Sequence, residues 1–307
     1  MSNPQNNFTV TMLGTASAMP VVNRSQSAQA LQVHGRLFLV DAGEGVQSQM
    51  VRFHVSMAKL EAVFISHVHG DHVYGLFGLF STFGMGGRTA PLHVYGPGNL
   101  RPFLHFFLSY NDWLPYEIAF HQVNTRFPEV VMETKSLAVT AFPLLHGMET
   151  YGYIFREKEP LWNIRKECIE QYGLTLTEIG TLKRGEDVVR ADGSVIPCAE
   201  AAYKPYAPRS YAYVSDTAVF PGEAEVLRGV TVLYHETTFL AEHGDKASAR
   251  FHSTTRQAAQ VAVEAGVSKL LIGHYSSRNT DQHLYEAECR EVFPESYATS
   301  DGDVYEI

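Results

Sequence analysis

The sequence predicts an α/β fold in which two mixed sheets are flanked by helices. Three observations support this prediction. Strand-like and helical segments alternate through the first part of the chain, a series of strands runs from residue 116 to residue 155, and strands and helices alternate again after residue 209. Each apolar face must be buried against another element, so this order favours helices packed on the outer faces of the sheets.

The first part of the chain supplies strands and helices in turn. Residues 8–13 alternate as a half-buried strand does and lead into the turn Gly14-Thr15. Residues 44–53 have helical spacing, with Val46, Met50 and Phe53 on one side. Further strands are predicted at 37–40, 62–65 and 92–95, and further helices at 73–80 and 99–110.

The second part of the chain is richer in strands. They are predicted at 117–123, 130–133, 137–144, 151–155, 210–215, 230–234 and 269–272, with an amphipathic helix at 253–265. The segment 156–208 differs in composition, because it combines Lys and Arg with several Gly and Pro residues. We therefore predict a single domain over residues 1–307 with an inserted arm at 156–208.

Composition fits an ordinary globular protein. Of the 307 residues, 45% are hydrophobic and 19% are charged, which argues against disorder. Acidic residues exceed basic ones by 33 to 24, and the formal net charge is -9. An enzyme that acts on nucleic acid would need a local positive patch on this acidic body.

The cysteines and the start of the chain predict a cytoplasmic protein. Cys168, Cys198 and Cys289 are widely spaced without a Cys-x-x-Cys pair, so we expect free thiols in a reducing compartment. Residues 1–7 lack the basic and apolar regions of a secretory signal. The sequence also has no apolar run of the roughly 18 residues that a membrane span needs.

The segment 67–72 is rich in metal-binding residue types and directly follows a predicted strand. Three imidazoles and one carboxylate within this segment are typical of a site for zinc or a neighbouring first-row metal. His67 and His69 can turn toward one ion from a loop, whereas the adjacent Asp71 and His72 are expected to face a second ion. A bland histidine-rich loop is the alternative.

Three later candidate ligands also follow predicted strands, namely His146, Asp216 and His274. In sheets of this kind, sites gather outside the carboxyl ends of strands, where distant loops converge. With the four residues of segment 67–72 the set is too large for one zinc with an open position. It suits two metals that share the carboxylate of Asp216.

Several motifs resemble the metallo-β-lactamase superfamily, whose fold is a four-layer αβ/βα sandwich with a dinuclear site. They are segment 67–72, Leu13-Gly14-Thr15, Asp41-Ala42-Gly43, Ser215-Asp216-Thr217 and Gly273-His274. More narrowly, the chain is similar to the ribonuclease Z family, the endonucleases that trim the 3′ trailer from precursor tRNA. The narrower match rests on the residues from His69 to Leu76, Tyr95-Gly96-Pro97, His235-Glu236-Thr237-Thr238 and His252-Ser253-Thr254.

The resemblance implies a hydrolase with two Zn2+ per chain. The implied ligands are His67, His69 and His146 for one ion and Asp71, His72 and His274 for the other, with Asp216 between them. Two such ions activate a water for in-line attack on the scissile phosphate and stabilise its charge. The family also assigns Asp71 as a proton acceptor.

Glu236 and His252 fit an acid that protonates the departing 3′ oxygen of the tRNA. A histidine oriented by a carboxylate is a suitable proton donor near neutral pH. The alternative is an ordinary helix start beside a surface histidine, because Ser253 and Thr254 are good cap residues.

The candidates for phosphate contacts are Arg24, Ser276 and Arg278. Ser276 and Arg278 match the family's His-x-Ser-x-Arg run, although Asn279 stands where a tyrosine is common. Around Arg24 the family usually shows Pro-x-Lys-x-Arg-Asn, and here Val22 replaces the lysine and Ser25 the asparagine. Either arginine is equally consistent with a solvated surface charge.

The arm 156–208 resembles the exosite with which the family grips the tRNA elbow. Residues 181–186 match it, and Lys183 and Arg184 would supply local positive charge, although the expected Gly-Pro pair is absent. Phosphate binding by such an arm would weaken steeply with salt. A solvated loop is the alternative. The family is commonly a homodimer whose arm serves the partner's active site.

Two other functions stay open from the sequence. One is a hydrolase of this fold that acts on a small phosphodiester or an aryl sulfate, for which the arm would have little purpose. The other is a non-catalytic RNA-binding scaffold. Such scaffolds typically lose metal ligands, whereas this chain retains all of the candidate ligands.

Overall fold

A computed structural model describes residues 7–279 and 281–307. Within these residues, two seven-stranded sheets carry helices on their outer faces, as the sequence predicts. The sequence predicts no secretory signal in residues 1–7. Residues 1–6 of this segment lie outside the described residues. Among the described residues, no helix combines the length and the apolar character needed to cross a membrane.

Strands and helices are numbered in chain order. The strands are β1 (Phe8–Gly14), β2 (Ala28–Val33), β3 (Arg36–Val40), β4 (Leu60–Phe64), β5 (Leu92–Gly96), β6 (Ile118–Gln122), β7 (Glu129–Glu133), β8 (Leu137–Pro143), β9 (Tyr151–Glu157), β10 (Asn163–Ile164), β11 (Val188–Val189), β12 (Val195–Ile196), β13 (Ala202–Tyr203), β14 (Ser210–Val214), β15 (Val232–Glu236), β16 (Lys269–Gly273), β17 (Ser296–Ala298) and β18 (Val304–Glu306). The helices are α1 (Val46–Arg52), α2 (Gly70–Val73), α3 (Gly75–Met85), α4 (Leu100–Tyr110), α5 (Lys166–Tyr172), α6 (Leu176–Lys183), α7 (Cys198–Ala201), α8 (Glu223–Val226), α9 (Gly244–Ala249), α10 (Thr255–Ala265) and α11 (Gln282–Arg290). Short 3-10 helices lie at Met57–Lys59 and Ala241–His243.

Parallel strands in both sheets set the position of the site. The first sheet has the order β18-β1-β2-β3-β4-β5-β6, and the second has the order β17-β16-β15-β14-β9-β8-β7. Strands β3 to β6 are parallel to one another, and so are strands β14 to β17, whereas β3 is antiparallel to β2 and β14 is antiparallel to β9. The loops that leave the carboxyl ends of parallel strands gather at one edge of each sheet.

Apolar layers hold the sandwich together. Between the sheets, the rings of Phe38 and Phe64 lie 6.1 and 5.1 Å from the ring of Phe155, centroid to centroid. The outer face of the first sheet buries apolar side chains against α1, α3 and α4. The second sheet does the same against α10 and α11. Each amphipathic helix therefore covers a sheet face that would otherwise be exposed to water.

Residues Thr134–Leu137 and Glu157–Pro208 form a compact unit of their own. The unit contains helices α5 to α7 and two short ladders, β10 with β13 and β11 with β12. A small core that includes Leu182, Val188 and Ile196 lies inside it. The sequence predicts an arm here without assigning helices to it. The role of this unit as an exosite that binds tRNA remains a prediction.

Some elements escape the sequence prediction. Strand β2 reads Ala-Gln-Ala-Leu-Gln-Val, a weak strand sequence, and it is held by antiparallel pairing to β1 on one side and β3 on the other. Strands β17 and β18 and helix α11 were likewise not predicted. The helix predicted at 73–80 instead begins at Gly75, after the one-turn helix α2. A Cβ at Gly75 would lie 2.1 Å from the carbonyl oxygen of Gly43, so only glycine allows α3 to approach this turn.

Candidate active site

Four of the predicted ligands come from the connection after β4. His67 and His69 lie in the loop, and Asp71 and His72 lie in the one-turn helix α2 that follows it. His67 and His72 are fully buried, and Asp71 is 6% exposed. The short sequence spacing therefore brings these side chains to one place, as the sequence predicts.

The other three predicted ligands each follow a strand of the second sheet. His146 follows β8, Asp216 follows β14 and His274 follows β16. Strands β14, β15 and β16 are parallel, so the residues after them meet at the same edge. An isolated bridge between Leu145 and Ala218 brings the loop with His146 to the loop with Asp216.

His67, His69 and His146 form one group beside Asp216. The Nδ1 atom of His69 lies 2.9 Å from His67 Nε2 and 3.3 Å from His146 Nε2. His67 Nε2 lies 3.7 Å from Asp216 Oδ2. Each of these four residues offers one ligand atom within 4.8 Å of the others.

Asp71, His72 and His274 form a second group on the other side of Asp216. Asp71 Oδ2 lies 3.4 Å from both His72 Nε2 and His274 Nε2. Asp216 Oδ1 lies 3.5 Å from His72 Nε2 and 3.2 Å from His274 Nε2. Asp216 thus directs one oxygen toward each group. We refer to these seven residues as the ligand cluster.

Hydrogen bonds at Nδ1 orient His67 and His72. His72 Nδ1 lies 2.7 Å from Asp41 Oδ2, and because a carboxylate only accepts, Nδ1 carries a proton. The Ser66 hydroxyl donates to Asp41 Oδ2 at 2.8 Å, so it accepts from His67 Nδ1 at 3.0 Å. In the neutral form of both rings, the lone pair therefore lies on Nε2, which faces the cluster.

His146 and His274 are oriented in the same sense. His146 Nδ1 donates to the carbonyl oxygen of Phe251 at 3.0 Å. The Thr238 hydroxyl donates to Glu236 Oε2 at 2.7 Å and accepts from His274 Nδ1 at 2.8 Å. Histidines that bind metal commonly donate their second nitrogen in this way, which fixes the ring and its tautomer.

The cluster contains buried polar atoms that fit a metal ion. Among the described residues, His72 Nε2 and Asp216 Oδ1 have no hydrogen-bond partner. A buried polar atom without a partner costs free energy, and an ion between these two atoms would satisfy both. Imidazole nitrogen and carboxylate oxygen are donors that zinc takes in proteins. The donor set therefore fits a metal of this type.

The electrostatics of the cluster favour a bound cation. Burial lowers the pKa of His72, but the charges of Asp71, Asp216 and Asp41 outweigh burial and hold this pKa well above its usual value. Burial raises the pKa of Asp216, but His274 and His72 outweigh it and hold that pKa well below its usual value. Carboxylates that stay ionised when buried call for positive charge nearby.

Three of the six described non-glycine residues with positive φ lie around the cluster. Asp41, Phe251 and His274 have φ values of 55°, 56° and 61°. Residues other than glycine rarely adopt this conformation, which costs about 1–3 kcal/mol at each position. In each case the strained residue aims a group at the cluster or its supports: the carboxylate of Asp41, the carbonyl of Phe251 or the imidazole of His274.

Glu236 and His252 form a pair beside the cluster. Glu236 ends β15 and is fully buried, and its Oε1 accepts from His252 Nδ1 at 2.9 Å. The backbone N–H groups of Thr238 and Ser253 also donate to this carboxylate. Burial lowers the pKa of His252, but the charges of Glu236 and Asp216 outweigh it and raise this pKa to about 9. The charges of these two carboxylates therefore favour the protonated form of His252.

A cavity of about 430 Å³ opens over the cluster. Residues of the cluster and the pair that line it are His69, Asp71, Asp216, His252 and His274. The predicted substrate contacts Ser276 and Arg278 also line it, and so does Arg250, which the sequence does not single out. Arg24 instead has its guanidinium over the ring of Tyr275, 5.2 Å from the centroid.

Lys183 and Arg184 lie in the other compact unit, at the end of α6. Arg184 is exposed and forms an ion pair with Glu186 at 2.9 Å. Residues 157–208 contain seven Lys and Arg against nine Asp and Glu, so the arm carries no net positive charge. Its local positive charge lies where Lys183, Arg165 and Lys166 line a cavity of about 620 Å³.

Sequence reasoning missed three supporting residues. Asp41 and Thr238 stand in motifs that the sequence shows, but their hydrogen bonds to His72 and His274 depend on the fold. Nothing in the local sequence of Arg250 signals that it lines the cavity over the cluster.

One family model matches part of the chain, and a known protein matches nearly its whole length. A family model described as "Anti-Pycsar protein Apyc1" matches residues 8–101, less than half of the chain. A ribonuclease Z of Parabacteroides distasonis is 39% identical to the chain over 299 residues, which is 96% of this chain and 97% of the relative.

Solved structures share the fold. The short form of human tRNase Z has a TM-score of 0.70 and 23% identity, and the match covers 97% of this chain and 98% of that chain. The metallo-β-lactamase fold protein YhfI of Bacillus subtilis has a TM-score of 0.71 and 20% identity, covering 98% of this chain and all (100%) of that chain. The fold is thus the metallo-β-lactamase fold that the sequence predicts. The match to a ribonuclease Z at 39% identity, which spans almost the whole of both proteins, decides the narrower question: the chain belongs to the ribonuclease Z family.

Proposed function

We propose that this protein is a metal-dependent endoribonuclease that removes the 3′ trailer from precursor tRNA and leaves a 3′-hydroxyl on the tRNA. Membership of the ribonuclease Z family supports this reaction. The observation that carries the proposal is the cavity in which the ligand cluster adjoins the pair of Glu236 and His252. Phosphodiester hydrolysis needs help for both the attacking and the departing oxygen, and this cavity offers groups for each.

The ligand cluster suits two Zn2+ per chain. His67, His69 and His146 would hold one ion and Asp71, His72 and His274 the other, with Asp216 shared between them. When bound, such ions supply an activated nucleophile and neutralise charge that develops on the phosphate. The support for zinc is the donor set and the unpaired buried atoms described above.

Asp71 is suited to ligation more than to proton transfer. Burial raises its pKa, but the charge of His72 and a hydrogen bond from His274 outweigh burial, and the pKa is lowered. A proton acceptor works best when its pKa lies near the operating pH. We therefore assign Asp71 the role of a ligand first and that of the proton acceptor implied by the family second.

His252 is the acid in this proposal. Glu236 holds its Nδ1, so the proton on Nε2 is the one available to the cavity. In the reaction, His252 Nε2 gives this proton to the departing 3′ oxygen as the bond between that oxygen and phosphorus breaks. The buried carboxylate of Glu236 keeps the imidazole oriented and favours its charged form.

Cationic side chains at the cavity would bind the RNA backbone. Arg250 and Arg278 are exposed there and supply positive charge on an acidic chain. Lys183 is proposed to bind tRNA from the arm, where Arg184 contributes less because it is paired with Glu186. Contacts with phosphates of this kind release counterions, so binding should weaken as salt rises.

An exposed aromatic face supports the prediction of a homodimer. Phe106, Tyr110 and Trp113 are 58%, 74% and 49% exposed at the end of α4, and Met85 of α3 is 75% exposed. The rings of Phe106 and Tyr110 lie 5.3 Å apart. Contiguous exposed apolar surface commonly marks a protein contact. Action on newly made tRNA would fit the cytoplasmic location that the sequence predicts.

The test is cleavage of a precursor tRNA that carries a 3′ trailer, with and without a chelator, followed by mapping of the product ends. We expect a cut at the trailer junction, a 3′-hydroxyl on the tRNA, and loss of activity with the chelator that zinc restores. A variant that lacks residues 157–208 separates the proposal from a hydrolase of small esters. If it loses tRNA cleavage but still hydrolyses a small aryl phosphodiester, the proposal stands. Retention of both activities would favour the small-ester hydrolase.

A further inference from the structure

A smaller cavity, of about 190 Å³, adjoins the cavity over the ligand cluster. Thr238, Phe239, Ser276 and Arg278 line both cavities, so a molecule bound over the cluster can extend from one into the other. We call the smaller one the side cavity. The steps of hydrolysis described above leave it without a role.

The aromatic walls of the side cavity are fixed by packing. Phe239 stands where the two cavities meet, with its ring centroid 6.0 Å from that of His252. Tyr285 is buried, and its ring packs against Tyr275 at a centroid distance of 4.9 Å, which makes it a fixed wall. Phe239 and Tyr285 are 6% and 1% exposed, so they shape the side cavity as buried walls.

Asn279 gives the side cavity a directional donor. Its Oδ1 accepts a hydrogen bond from the backbone N–H of Asp281 at 3.0 Å, which orients the amide and leaves Nδ2 as the donor. Arg278 beside it only donates. At the rim, Glu242 lies 3.6 Å from His243, measured from Oε1 to Nε2. Asn279 and Arg278 therefore offer donors to the acceptors of a base edge, such as its carbonyl oxygens and ring nitrogens, while Glu242 offers an acceptor at the rim.

The position of the side cavity, directly beside the cavity over the ligand cluster, suits the base of one nucleotide. A base is joined to its phosphate through a single ribose, so a phosphate over the ligand cluster brings the adjoining base to the side cavity. We propose that the side cavity binds the base of one unpaired nucleotide that flanks the scissile phosphate, and that Asn279 donates a hydrogen bond to this base. The inference rests on the proposed function, because it requires RNA as the substrate.

The experiment uses the zinc-loaded enzyme and three precursor tRNAs. One is unmodified, one has an abasic ribose on the 5′ side of the scissile phosphate, and one has it on the 3′ side. For the wild type, we expect loss of the recognised base to lower kcat/KM by roughly 2–10-fold, the worth of one hydrogen bond. On the unmodified precursor, Asn279→Ala should lower kcat/KM by a similar factor. On the precursor that already lacks the recognised base, the same variant should cause no further loss. The side on which this occurs identifies the nucleotide.

One more variant controls for the effect of truncation. Leu284→Ala, at an exposed position on α11, makes a comparable truncation nearby and should leave all three rates unchanged. Equal losses for Asn279→Ala on all three precursors would overturn the inference while leaving the proposed function intact. A wild type that binds zinc but cleaves no precursor would overturn both.

Discussion

Strand β15 ends in two consecutive residues, His235 and Glu236, and each pairs with a partner of the complementary type. His235 Nε2 lies 3.0 Å from Glu223 Oε1, and these side chains are 0% and 1% exposed. Glu236 Oε1 lies 2.9 Å from His252 Nδ1, and the His252 side chain is 15% exposed. Successive side chains of a strand point to opposite faces, so the first pair reaches helix α8 and the second reaches the ligand cluster.

The two pairs differ in what their imidazoles have left to offer. His235 uses both nitrogens, because Nδ1 contacts the carbonyl oxygen of Glu236 at 2.7 Å while Nε2 contacts Glu223. His252 uses Nδ1 for Glu236 and lines the cavity. The same residue types therefore make a structural pair where both nitrogens are engaged, and the proposed proton donor where the imidazole lines the cavity.

The largest expected effect is on catalysis and concerns the pair of Glu236 and His252. His252→Ala should lower kcat for precursor cleavage by roughly 10²–10⁴-fold, the usual worth of general acid catalysis, while the zinc content stays the same. Single-turnover kinetics and metal analysis of the same preparation would measure both. His283→Ala, at an exposed histidine on α11, is the matched control and should be neutral. A fall in bound zinc would show that His252 is a ligand, and an unchanged kcat would remove it from catalysis.

The buried pair should report on stability instead. His235→Gln leaves the carboxylate of Glu223 buried without its cationic partner, so the free energy of unfolding should fall by roughly 3–5 kcal/mol. Turnover per zinc-loaded folded molecule should change much less than in His252→Ala. Urea titration measures the first quantity. The control is Glu225→Gln, which breaks an exposed pair with Arg228 and should cost less than about 1 kcal/mol. If His235→Gln and Glu225→Gln lowered the free energy of unfolding equally, burial would not make the first pair more important for stability.

Asp41 and His72 form a third pair that combines features of the other two. Both side chains are fully buried, but only Nδ1 of His72 is engaged by Asp41, and Nε2 faces the ligand cluster. Asp41→Asn removes the charge that holds this ring, so zinc affinity should fall by roughly 10–100-fold. Competition with a chromogenic chelator measures the affinity. Asp245→Asn, on exposed α9, is the control. Unchanged affinity in Asp41→Asn would mean that backbone geometry alone orients His72.

The proximity of the seven candidate ligands could be anticipated from the sequence because the information for it is largely local, while their binding of metal stays a prediction. His67, His69, Asp71 and His72 lie within one short segment, and His146, Asp216 and His274 follow apolar segments whose strand character is plain. Parallel packing then brings the ends of these strands together. The supports could not be predicted in this way. Asp41 meets His72 across 31 positions of sequence, a contact that only the folded chain defines.

Charge was the least predictable feature. The sequence singles out Lys183 and Arg184 in the arm, but Arg184 is paired with Glu186 in the same segment. Arg24 as a phosphate contact stays a prediction: its guanidinium lies over Tyr275, while Arg250, which the sequence does not single out, lines the cavity. A long, flexible side chain chooses its partner from everything within reach, so its role depends on tertiary packing rather than on sequence spacing.

The smallest expected effect is the pH dependence of the buried pair. Burial lowers the pKa of His235, but the hydrogen bond and charge of Glu223, together with the contact to Glu236, outweigh burial and raise it. A histidine whose folded pKa exceeds its unfolded value of about 6.5 stabilises the protein fully below that pH, and loses this contribution as pH rises through the folded pKa. The gap in unfolding free energy between wild type and His235→Gln should therefore be widest below about pH 6.5 and should narrow as the pH rises into the alkaline range. Urea titrations of wild type and His235→Gln across this pH range would measure the gap. Most other titrating groups contribute equally to both proteins, so their contributions cancel in the difference. A gap that widened with pH would mean that His235 is buried as the neutral ring, so that Glu223 would have to hold the proton.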